Sequence, residues 1–135
     1  MGNYLLGIDL GTSSLKAAVL DTDGCLLAVA GQEYAIASPV QGWAEQDPGL
    51  WYQAACTAVR QALRQADIRA QDVLALGLSG QMHSLVCLDG SWQPLRPAIL
   101  WADQRSAPQV ESLRRHISSE NLAAWAGNPL AVGFT

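Results

Sequence analysis

The sequence predicts a mixed α/β layer that begins with an antiparallel meander. Three observations carry this reading. Short apolar runs near the start are separated by turn residues. A long stretch behind them repeats its apolar residues every three or four positions, the period of a helix lying on a sheet. A further apolar run then returns the chain to strand.

Tyr4 to Leu10 is short and apolar and runs into Asp9-Leu10-Gly11-Thr12, a strand ending in a tight turn. Leu15 to Leu20 reads as the returning strand. Asp21-Thr22-Asp23-Gly24 reads as a hairpin turn with Gly placed for a positive φ. Cys25 to Tyr34 completes the meander. Ala37 to Gln46 reads as a loop broken by Ser38-Pro39 and Gly42. Asp47-Pro48 starts a helix, because Asp caps open N–H groups and Pro fits the first helical position. Leu50, Ala54, Ala55, Ala58, Val59, Ala62, Leu63 and Ala66 share one face of that helix, which runs for about five turns.

Val73 to Leu78 is a fourth strand closed by Ser79-Gly80, Ser84 to Leu88 a fifth, and Ala98 to Trp101 a short sixth. Ser106-Ala107-Pro108 starts a helix to about His116. Ser118 or Ser119 caps another, which Gly127 ends. The order βββαβ with later additions predicts a ribonuclease-H-like α/β layer with flanking helices.

A chain of 135 residues is the size of one ordinary domain. Half of its residues are apolar and 15% are charged, as in globular proteins. The net charge of −4 argues against nucleic acid and anionic membrane as main partners, since both reward a basic face. It leaves room for a small anion held by backbone N–H groups. Cys25, Cys56 and Cys87 are far apart and odd in number, so neither a disulfide framework nor a zinc site is expected, and a reducing cytoplasm is the default location. The start shows no signal peptide, Leu6 stands where a myristoylation site needs Ser or Thr, and no apolar run approaches a bilayer span.

Four segments hold residues suited to chemistry. In Gly7-Ile8-Asp9-Leu10-Gly11-Thr12-Ser13-Ser14-Leu15-Lys16, Gly11 lets backbone approach a ligand closely. Successive N–H groups and the hydroxyls of Thr12, Ser13 and Ser14 suit phosphate oxygens, and Lys16 adds a point charge. Asp9 at the strand end suits Mg²⁺ held through water. The same residues also suit an ordinary hairpin with a polar turn. Gln81, Met82 and His83 sit at the end of a predicted strand, where α/β sheets bind ligands, although a structural His fits as well. Trp101 suits the apolar face of a sugar, with Asp103 and Arg105 beside it for hydroxyls; a core Trp with a local Asp–Arg pair is the other reading. Gly42 to Pro48 reads as structural, with Trp43 packing against the helix that Asp47 caps.

Taken in order, these segments resemble the FGGY family of carbohydrate kinases, and within it the members that phosphorylate xylulose. The resemblance rests on Gly7-Ile8-Asp9-Leu10-Gly11-Thr12-Ser13-Ser14, on Trp43-Ala44-Glu45-Gln46-Asp47-Pro48 and on Gly80-Gln81-Met82-His83. It rests further on Arg96-Pro97-Ala98-Ile99-Leu100-Trp101 with Asp103 and Arg105, and on Gly127-Asn128 with Gly133-Phe134-Thr135. Ser84 departs from the Gly that often follows Met-His.

The resemblance implies an actin-like ATPase fold, with residues 1–135 as part of an N-terminal lobe whose second lobe is absent. It implies transfer of the ATP γ-phosphate to D-xylulose, with Mg²⁺, in the cytoplasm. Gly11, Thr12, Ser13, Ser14 and, more weakly, Lys16 would meet the ATP phosphates, and Asp9 the Mg²⁺–phosphate region. Met82 and His83 would contact the sugar, in place of the Arg-Glu pair of glycerol-phosphorylating members. Gln81, Trp101 and Asp103 would flank it. No Asp or Glu here matches the family's general base, and the adenine pocket is not among the matched motifs, so the chain alone is expected to be inactive. Kinases for another ketose or polyol, and a non-catalytic sugar-binding domain of the same fold, are the alternatives. Association of copies is compatible with the sequence.

Overall fold

The computed structural model describes residues 4–133; Met1–Asn3 and the matched Phe134 and Thr135 lie outside the described residues. The element order is β1 (Tyr4–Leu10), β2 (Ser14–Asp21), β3 (Leu26–Glu33), β4 (Glu45–Gln46), α1 (Pro48–Gln65), β5 (Val73–Gly80), β6 (Ala98–Ile99), α2 (Ala107–His116) and α3 (Ser119–Ala126). These elements fall into two compact units, residues 4–35 with 47–81 and residues 36–46 with 82–133.

In the first unit, β1 to β3 form the expected antiparallel meander. Asp21 builds the turn between β2 and β3: its Oδ1 accepts the N–H of Asp23 at 3.0 Å and of Cys25 at 2.8 Å. Gly24 has φ +87°, a conformation that a Cβ would penalise. β5 adds to β1 in parallel, giving the order β3-β2-β1-β5. A parallel neighbour needs a crossover, and α1 supplies it. Asp47 caps α1 by accepting the Gly49 N–H at 2.8 Å, with Pro48 beginning the helix.

Ala54, Ala58 and Ala62 recur every fourth residue and are buried, so one row of methyl groups lets α1 close onto the sheet. Leu6, Leu15, Ala17, Val19 and Ala30 meet that row. Leu50, expected on the same stripe, is exposed, because it lies in the first turn, ahead of the buried row. Leu74, Leu76 and Leu78 on the edge strand β5 are also exposed, since α1 covers β1 to β3.

In the second unit, β4 and β6 form a two-stranded antiparallel ribbon, pairing Glu45 with Ile99 and Gln46 with Ala98. Residues 37–46, expected as loop, thus contain one short strand, and the expected sixth strand shortens to two residues. The expected strand from Ser84 to Leu88 does not form; Leu85 and Leu88 make only single bridges, to Ile99 and Pro94. His83 in a left-handed conformation precedes it and the Asp89 turn follows it, so the chain bends at both ends of the run. Ser106 precedes α2 without a side-chain cap bond, whereas Ser118 caps α3 through the Asn121 N–H at 3.2 Å. Gly127, at φ +65°, ends α3 as expected. The three cysteines are free thiols. Among the described residues no helix is long and apolar enough to cross a membrane.

Candidate functional site

The candidate residues divide between the units: Asp9 to Lys16 and Gln81 lie in the first, and Met82, His83, Trp101 and Asp103 in the second.

Antiparallel register places Asp9 directly opposite Lys16, and parallel register places Asp9 beside Ser79. Directly paired residues point to the same face of a sheet, so an acid, a base and a hydroxyl share one face. Both Asp9 and Lys16 are exposed, on the face opposite the α1 core. Between them the chain reverses over Gly11 to Ser14, closed by the Gly11 N–H donating to the Ser14 carbonyl at 3.0 Å. A Cβ on Gly11 would lie 2.8 Å from that carbonyl oxygen, so the turn needs glycine for space. Ser13, Ser14, Glu33 and Tyr34 border an open cavity of about 540 Å³ beside this turn.

Gln81 extends the β5 pairing, its N–H donating to the Leu10 carbonyl at 2.9 Å. Both polar atoms of its side-chain amide are buried with no protein partner. Buried amides are rarely left so, which makes this side chain a candidate for a ligand contact. The Ser84 hydroxyl, in the second unit, is orphaned in the same way.

Met82 is 74% and Trp101 49% exposed, large apolar groups turned to the surface. His83 holds φ +61°, which is costly for a non-glycine residue and clusters at functional sites. It borders a cavity of about 200 Å³ together with Ile99, Arg105, Ser106 and Gly133. Gly133, at φ +84°, lies so close to the Trp101 carbonyl that no Cβ fits there. His83→Gly is therefore expected to be about 1 kcal/mol more stable than His83→Ala, since both lose the imidazole and only Gly relieves the strained backbone. Thermal melts of the two variants check this, and equal melting temperatures would contradict the strain assignment.

Asp103 is 2% exposed, and protein donors occupy both of its oxygens. Oδ2 accepts the Ala44 N–H and an Arg105 Nη2–H, each at 2.7 Å. Oδ1 accepts the N–H and Nε–H of Arg105, each at 2.8 Å. Arg105 also reaches Glu45 at 2.8 Å, where Arg96 adds a 2.7 Å bond, and its guanidinium lies 3.7 Å from the Trp43 ring centre. The two-pronged Arg105 hydrogen bond, with the Ala44 N–H, holds the Asp103 carboxyl down at about 2 despite burial. This network ties residues 43–45 to residues 103–105. Trp43 stacks beneath the Arg105 guanidinium. Asp103 is placed as an anchor for Arg105, and its oxygens face protein donors where the sequence suggested sugar hydroxyls.

Two further residues take part without a local sequence signal. Glu45 is buried and bridges two arginines, yet it read as loop. Tyr34 read only as a strand end; its hydroxyl donates to the Gly11 carbonyl at 2.6 Å. Its closeness in register to the hairpin was the one signal available. Among the described residues no three or more His, Cys, Asp or Glu side chains gather to hold a metal ion. A single carboxylate such as Asp9 still fits Mg²⁺, which takes most of its ligands from phosphate and water.

Residues 4–135 match the FGGY family of carbohydrate kinases, N-terminal domain. The xylulose kinase of Staphylococcus xylosus is 36% identical over 132 residues, covering 98% of this chain and 27% of that protein. The xylulose kinase of Escherichia coli K12 is 38% identical over 130 residues, covering 96% of this chain and 26% of that protein. A crystal structure described as a xyloylose kinase from Brucella ovis superposes with a TM-score of 0.90 at 36% identity, covering 98% of this chain and 27% of that one. The chain thus spans about a quarter of the length of the relatives it matches. The expected α/β fold is that of these N-terminal domains.

Proposed function

This chain belongs to the FGGY family of carbohydrate kinases, and on that premise we propose that it supplies the phosphate grip and part of the sugar contacts of an ATP-dependent D-xylulose kinase. The observation that carries the reading is the β1–β2 hairpin, with Asp9 and Lys16 paired across a turn too tight for any residue but glycine at position 11. A carboxylate repels phosphate unless a cation stands between them. Asp9 would hold Mg²⁺ through water, and the ion would neutralise charge on the phosphate oxygens. Thr12, Ser13 and Ser14 donate hydroxyl and N–H groups to the ATP phosphates, and Lys16 adds a positive charge.

In the second unit Met82 and His83 contact the sugar and Trp101 offers it an apolar face. In the first unit the orphaned Gln81 amide suits a ligand hydroxyl. Asp103 acts indirectly, by holding Arg105. Positioning and charge neutralisation do most of the work in such a transfer. The general base and the adenine pocket come from the second lobe, in the part of the relatives that this chain does not span.

A chimera tests the reading: residues 4–133 replace the matching quarter of the Escherichia coli xylulose kinase. The chimera is expected to phosphorylate D-xylulose in preference to glycerol and gluconate, and His83→Ala is expected to lower kcat/KM for the sugar roughly a hundredfold. Preference for another sugar would replace xylulose in the proposal.

A further inference from the structure

We propose that Tyr34 is a positioning residue for the phosphate hairpin, turning the carbonyls of Gly11 and Ser13 away from the anion. The proposal rests on the reading of Asp9–Lys16 as a phosphate grip. A peptide loop that binds phosphate must present N–H groups and avert its carbonyl oxygens, whose partial negative charge repels the anion. In a trans peptide the C=O and the following N–H point in opposite directions. Fixing a carbonyl therefore aims the next N–H the other way.

Tyr34 fixes two carbonyls of the turn from one side. Its hydroxyl donates to the Gly11 carbonyl at 2.6 Å, and its N–H donates to the Ser13 carbonyl at 3.0 Å. The Ser14 carbonyl is taken by the Gly11 N–H at 3.0 Å. Each of these oxygens is thereby occupied by a protein donor, and the N–H groups of Thr12 and Ser14 are aimed opposite to the Tyr34 bonds. The phenol can serve only while protonated. Partial burial, and then the nearby Asp9 charge, push its pKa up from the ordinary tyrosine value, so it remains a donor across the neutral range. Among the described residues the groups facing it are the Gly11 carbonyl, Asp9 and, around the adjacent cavity, Ser13, Ser14 and Glu33.

Tyr34→Phe removes the hydroxyl and leaves the N–H bond to Ser13 in place. Isothermal titration of the chain with Mg²⁺–ATP, well below the melting temperature, compares it with the unaltered chain. The expected result is binding by the unaltered chain and about tenfold weaker binding by Tyr34→Phe, the effect of one lost hydrogen bond that orders a charged site. D-xylulose affinity, measured in parallel, is expected not to change. A residue that merely supported the fold would lower the melting temperature and leave nucleotide affinity alone. Equal affinity of both chains would overturn the role of Tyr34 while the hairpin reading stands. Absence of binding by the unaltered chain would overturn the hairpin reading, and the role of Tyr34 with it.

Discussion

Asp103→Asn is expected to destabilise the chain by about 3 kcal/mol, the cost of removing one member of a buried, hydrogen-bonded ion pair. The substitution keeps the shape and removes the charge. Among the described residues Arg105, 18% exposed at its side chain, then keeps Glu45 as its one anionic partner, which it shares with Arg96. The same residue sets an acid limit on stability. Its folded pKa of about 2 lies below the ordinary carboxylate value of 3.8. A lowered folded pKa contributes stability that is fully present above the unfolded pKa and is lost as pH falls. The contribution, about 2 kcal/mol, is therefore present at neutral pH and fades between about pH 4 and pH 2. Melts across that range are expected to show the gap between the unaltered chain and Asp103→Asn closing as acid is added. A gap that stayed constant down to pH 2 would show that the Asp103 charge does not support the fold.

Gly11→Ala is expected to cost about 2 kcal/mol through overpacking and to abolish measurable Mg²⁺–ATP binding. The added Cβ would lie 2.8 Å from the Ser14 carbonyl oxygen, which already accepts the Gly11 N–H across the turn. That oxygen is backbone and cannot step aside without opening the hairpin. Gly7 is the control, because it lies in the same strand and a Cβ there meets nothing within 4 Å. Gly7→Ala is expected to be near neutral for both stability and binding, as a strand position that gains a side chain without strain. Calorimetry and thermal melts on the two variants separate a requirement for space at the turn from a general intolerance of β1. Loss of binding in both would point to the general intolerance.

Local signals made the first unit legible. The β1–β2 hairpin, the Asp21 turn, the Asp47 cap and the alanine row of α1 all follow from neighbours a few residues apart. The second unit was harder to read because its elements are stabilised by distant partners. Glu45 and Gln46 become strand only by pairing with Ile99 and Ala98, more than fifty residues away, and nothing in residues 37–46 announces it. The run from Ser84 to Leu88 has strand composition, but His83 and Asp89 impose turns on both sides. The candidate site divides in the same way. Asp9, Gly11 and Lys16 were readable because a strand, a tight turn and a returning strand are contiguous. The inward aim of Asp103 and the hydroxyl contact of Tyr34 depend on side-chain direction, which residue type alone does not fix.

Whether the turn between Asp9 and Lys16 grips phosphate is read out by amide chemical-shift mapping of the ¹⁵N-labelled chain during titration with Mg²⁺–ATP. The largest shifts are expected on Gly11, Thr12, Ser13 and Ser14, with Asp9 and Tyr34 following. Shifts confined to other parts of the chain, or none at saturating nucleotide, would contradict the phosphate grip.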